Sequence, residues 1–94
     1  MAGWNMMVHR QLAGHTQAEM SERLNRHLDP AHRMDRWKLA QVERGDVPAS
    51  LSLSVAFCTA LGLNERALTM SPREVMEIVA KAAERERLAQ TQKE

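Results

Sequence analysis

Between Asp35 and Gly45 the sequence sets Arg36, Trp37, Lys38 and Gln41 on one side of a short helix, and Leu39 and Val42 on the other. Arginine can grip guanine O6 and N7 or a phosphate, glutamine can pair with adenine, and a single short helix fits the DNA major groove. Arg36, the first residue inside the helix, is placed for the guanine or phosphate contact, and Gln41 for adenine. Lys38 shares the outward side. Arg44, where the helix ends, and Arg33, just before it starts, are placed to approach backbone phosphates. Trp37 has two destinations. It can press on a thymine methyl, which keeps it among the candidate DNA contacts, or pack beneath the 25–34 segment; packing is favoured, because tryptophan is more often partly covered.

The elements that must position these residues are short helices with clear ends. Asp35 is a good N-cap for the helix that bears them, and Gly45 supplies a left-handed stop. A preceding helix, Thr16 to about Arg26, opens with a T-x-x-E capping box of Thr16 and Glu19 and carries Ala18, Met20 and Leu24 as its apolar positions. The first helix is expected from near Asn5 to Ala13, with Met6 and Ala13 inward and Gly14 ending it. After an Asp46-Val47-Pro48 turn, a fourth helix spans roughly Leu53 to Leu61, with Leu53, Phe57, Ala60 and Leu61 on one face. Gly62 stops it, and Asn64 caps a short fifth helix through Leu68, with Leu63 as a staple. Ser71-Pro72-Arg73-Glu74 combines a serine cap, a proline at the first position and a glutamate at the third. The helix it starts, about Pro72 to Gln90, carries Val75, Met76, Val79, Ala82 and Ala83 on one side, and its end should fray.

Composition sets the class. Ninety-four residues fit one small unit, and 44% hydrophobic with 27% charged residues is ordinary for a globular chain. Tyrosine is absent, glycines number four and β-branched runs are missing, so an all-α fold is expected. No apolar stretch reaches membrane-span length and the first residues lack a signal-peptide core, which points to the cytoplasm. A single cysteine, Cys58, agrees with that compartment and reads as a core residue. Net charge is only +1, but Arg23, Arg26, Arg33, Arg36, Lys38 and Arg44 crowd one stretch. His9, His15, His27 and His32 lack metal-ligand spacing, so no metal or other cofactor is expected. No nucleophile, base and oxyanion donor can be assembled, so the chain does not read as an enzyme.

The segments TQAEMSERL, LAQVERG and TALGL, with the helices around them, resemble the Xre/Cro (lambdoid repressor-like) helix-turn-helix family from about Met6 to Leu68. The resemblance implies a five-helix DNA-binding domain over residues 1–70; the added helix and tail at 71–94 lie outside it and read, from their apolar stripe, as a dimerisation or partner element. It implies that Arg10 forms an internal salt bridge with Glu43, tying the first helix to the end of the third. It also implies that Gln17, at a positive helix end, contacts a phosphate and supports the base readers. Two departures stand out. Eighteen residues, Asn25 to Val42, separate Leu24 from Glu43, an enlarged span centred on NRHLDPAHRM; and Ser21 stands where the family favours alanine.

From this follows an expectation of a sequence-specific transcription regulator, foremost a repressor. It would bind double-stranded DNA at a near-palindromic operator as a homodimer, as a compact phage or plasmid regulator does. Val75, Met76, Val79 and Ala82 can either lie back on their own domain or meet a second copy, the latter being favoured. The alternative is an antitoxin whose last helix covers a toxin while its domain represses their shared promoter.

Overall fold

The chain's computed structural model describes residues 2–93, with side chains for residues 2–90. Five α-helices and two 3-10 turns make up its regular structure: α1 (Ala2–Leu12), α2 (Gln17–Asn25), α3 (Arg36–Glu43), α4 (Leu51–Leu61) and α5 (Pro72–Lys93). The turns are Pro30–His32 and Glu65–Leu68. The fold is all-α, with no strand among the described residues. No helix there is long and apolar enough to cross a membrane.

Met6, Met20, Leu24, Leu39, Val42, Leu53, Ala56, Phe57, Cys58 and Leu68 meet in one core to which all four helices before α5 contribute. The caps act as the side-chain types dictate. Thr16 Oγ1 accepts from Glu19 N while Glu19 Oε1 accepts from Thr16 N, completing the capping box. The Thr16 backbone N–H, and after it the Thr16 hydroxyl, hold the Glu19 carboxyl below its usual pKa. Asp35 accepts from Lys38 N at 2.9 Å, and Gly45 follows α3 with φ of 82°.

Several expectations are corrected. Helix α1 begins at Ala2, not near Asn5, and stops at Leu12, so Ala13 is exposed in the turn ended by Gly14. Asn5 is no helix start: it is fully buried and donates through Nδ2 to the Met70 carbonyl. Ala18 is exposed, because it lies two residues, about 200° of helical rotation, from Met20 on a helix whose inward side is Met20, Ser21 and Leu24. The expected fifth helix is a 3-10 turn capped by Asn64, so four α-helices, not five, precede Ser71. Helix α5 runs through Lys93 rather than ending at about Gln90, since its alanines, glutamates, arginines and glutamines favour helix without a buried stripe.

The enlarged span between α2 and α3 is a folded loop. Asn25 Nδ2 donates to Met34 O at 2.9 Å and Met34 N donates to Asn25 Oδ1 at 2.8 Å, closing the loop where it began. Leu28 and Met34 pack on the core, and Pro30 begins the 3-10 turn between them. Helices α2 and α3 therefore still pack together.

Candidate nucleic-acid interface

Helix α3 has two unlike sides. Leu39, Val42 and Glu43 are buried, while Arg36, Trp37, Lys38 and Gln41 are exposed. At about 100° per residue, Trp37, Gln41 and Arg44 follow one another along the outer line, with Arg36 and Lys38 on its two flanks. Trp37 is 69% exposed, so the expectation that it packs under the 25–34 loop is overturned. Leu28 and Met34, both partly buried, are the side chains that this loop packs against the core.

What fixes this helix is a buried polar cluster behind it. Arg10 Nε donates to Glu43 Oε2 at 2.7 Å and its Nη2 to Glu43 Oε1 at 3.1 Å, a two-pronged pair. Gln17 Nε2 donates to the same Oε1 at 3.0 Å, and Arg10 Nη1 donates to the His15 carbonyl at 2.9 Å. One carboxylate thus joins α1, the first residue of α2 and the end of α3. Ser21 suits the packing between helices because its hydroxyl turns back to the Gln17 carbonyl at 2.8 Å. Gly3 brings α1 closer still: a Cβ there would collide with the Val42 carbonyl oxygen.

A cleft of about 460 Å³ opens above that cluster. Met7, Arg10 and Gln17 form one wall; Arg36, Trp37, Ala40 and Arg44 line the other side. The Arg36 guanidinium lies 4.9 Å from the centre of the Trp37 ring, a cation–π stack. Lys38 Nζ reaches back to the Arg33 carbonyl at 3.4 Å, and Arg33 itself is exposed. Arg44 pairs with Asp46 across 3.0 Å at the surface. The acids of this region are therefore engaged: Asp35 on a backbone N–H, Glu43 inside, Asp46 on Arg44. That leaves Arg36, Lys38 and Gln41 facing solvent with no carboxylate partner among the described residues.

The other candidate residues lie elsewhere. Val75 is fully buried against its own chain at the start of α5, which packs on α1; Val79 and Ala82 are half-buried, and Met76 is 53% exposed. The stripe is thus divided between the domain and solvent. No group of three or more His, Cys, Asp or Glu side chains that could hold a metal occurs among the described residues. Cys58 is buried, and burial raises its thiol pKa, so it stays protonated. Gly3, Asn5 and His9 have roles that their spacing in the sequence does not show.

The chain matches no protein-family model, no curated protein and no solved structure with which it was compared.

Proposed function

We propose that the chain is a sequence-specific DNA-binding transcription regulator of the Xre/Cro helix-turn-helix kind, foremost a repressor, with α2 and α3 as its reading unit and Arg36, Trp37, Lys38 and Gln41 toward the bases. The single observation that carries this reading is the contrast on α3. A buried Arg10–Glu43–Gln17 cluster fixes its orientation, while its outer side presents the Arg36, Lys38 and Gln41 side chains with no carboxylate paired to them among the described residues. A protein that needed α3 only for stability would have no use for an exposed tryptophan flanked by cations.

In that reading Arg44 and Arg33 serve phosphates, and Gln17 holds the edge of the cleft where a backbone phosphate meets the α2 terminus. A single α3 reads only a few base pairs, so a homodimer on a near-palindromic site is part of the proposal, with Met76, Val79 and Ala82 of α5 as its contact. The cytoplasm is the compartment this function requires. The test is selection from a pool of random-sequence duplexes at stated salt, followed by footprinting on the enriched sequence. Affinity for the enriched sequence that falls with Arg36→Ala or Gln41→Ala supports the reading, whereas a pool without enrichment overturns it.

A further inference from the structure

Helix α3 carries an unusual object on its outer side: an indole left mostly in water with a guanidinium stacked on it. An exposed tryptophan costs solubility and gains nothing for the core, because Leu39 and Val42 already supply α3's inward contact. Neither the Trp37 indole nor the Arg36 guanidinium makes a hydrogen bond among the described residues. The stack restrains both side chains before any ligand arrives, which lowers the ordering cost of a contact. With its carbon over the ring and its N–H groups unbonded among the described residues, the guanidinium keeps its donors available to a ligand.

The geometry points to a specific assignment, resting on the DNA-binding reading above: Trp37 is a specificity-determining residue whose indole covers the 5-methyl group of a thymine, while the stacked Arg36 grips the guanine of the neighbouring base pair. The occupant is a duplex carrying adjacent thymine and guanine in each half-site. Three features favour it. Consecutive residues on a helix diverge by about 100°, so neighbouring side chains reach neighbouring steps rather than one base. The thymine methyl is the one apolar group on the major-groove floor, and guanine's O6 and N7 match a guanidinium edge. Finally, Ala40 lines the same cleft as Arg36 and Trp37, and its small side chain takes little room beside them.

The experiment uses the full chain and the duplex enriched by selection. In one probe the thymine beside the guanine is replaced by deoxyuridine, which removes only the methyl. In a second the guanine is replaced by 7-deazaguanine, which removes N7. We expect affinity to fall about fourfold per half-site with deoxyuridine, the worth of one buried methyl group. Trp37→Ala should bind both duplexes equally, whereas Arg36→Ala should lose sensitivity to 7-deazaguanine while keeping its preference for thymine over deoxyuridine. A merely structural tryptophan would weaken both duplexes alike and keep their ratio. An enriched sequence with no thymine beside guanine, or a ratio that survives Trp37→Ala, overturns the assignment and leaves the DNA-binding reading standing. A pool without enrichment overturns both.

Discussion

Glu43 and Arg44 are neighbours in sequence, each is half of an ion pair, and the two pairs have little else in common. The Arg10–Glu43 side chains are 10% and 2% exposed and 2.7 Å apart; those of Arg44–Asp46 are 64% and 60% exposed and 3.0 Å apart. The inner pair joins residues 33 positions apart and is reinforced by Gln17, whereas the outer pair spans two residues of one turn. Burial makes the first a device for orientation. Its charges lose water and must be matched, so any shift of α1 against α3 is penalised. Exposure makes the second nearly neutral for stability. What separates the pairs is one residue of helical rotation, and the outer one leaves a cation where a phosphate could take the place of Asp46.

The largest effect expected from breaking this contrast comes from Arg10→Ala. It strands the Glu43 carboxylate with only Gln17 beside it and should cost about 3–5 kcal/mol, read by urea unfolding. Replacing Arg10 and Glu43 together by methionine should recover most of that loss. A single variant as stable as the parent would mean that the buried pair does not orient α1. Gly3→Ala comes next. Helix propensity alone favours alanine by about 1 kcal/mol, but the new methyl meets the Val42 carbonyl, and overpacking costs roughly 1–3 kcal/mol. Net destabilisation is expected, so a raised melting temperature would show that α1 can shift freely.

Smaller still is Arg44→Ala, which should change stability by under about 0.5 kcal/mol. Under the proposed function it should weaken DNA binding evenly across sequences and reduce the salt slope by about one. Asp46→Ala should strengthen binding, since the released Arg44 no longer shares its charge. Equal binding by both variants at low and high salt would take Arg44 away from the phosphates.

The contrast between the pairs also shows what the sequence makes legible. Caps are local, so Thr16, Asp35, Asn64 and Ser71 can be found from a few neighbouring residues; Ser50 is the exception, for it accepts from Leu53 N and starts α4 at Leu51 rather than near Leu53. The Arg10–Glu43 pair was accessible only through family resemblance, because nothing local says that residues 33 apart meet. Trp37 went the other way: a general preference for burial pointed under the loop, but Leu28 and Met34 are the loop's contacts to the core and the indole stays exposed. Helix α1 starts before its expected place near Asn5, and neither Gly3 nor Asn5 shows locally what it does there. Their roles depend on the Val42 and Met70 carbonyls, which only the tertiary fold brings to them.

His9 offers the mildest test, because it is an ionisable group on the inner side that has no countercharge. It lies one turn after Asn5 on α1, is buried, and its Nε2 has no hydrogen-bond partner. Burial lowers its pKa below the usual 6.5, opposed in part by the Ala67 backbone beside it, which favours the charged ring. The folded chain therefore takes up this proton at a lower pH than the unfolded chain. Above about pH 6.5 both states hold a neutral ring and the histidine has no effect on the pH dependence. As pH falls through 6.5 the unfolded state gains the proton first, so stability drops until the folded ring is protonated too, and then levels. The parent's melting temperature should thus decline between pH 7 and 5 by more than that of His9→Gln, which has no ring to titrate. The difference between the two curves isolates His9 from the other histidines and the carboxylates. Parallel curves would mean that water reaches the ring, and that the seam between α1 and the 65–68 turn is looser than its packing indicates.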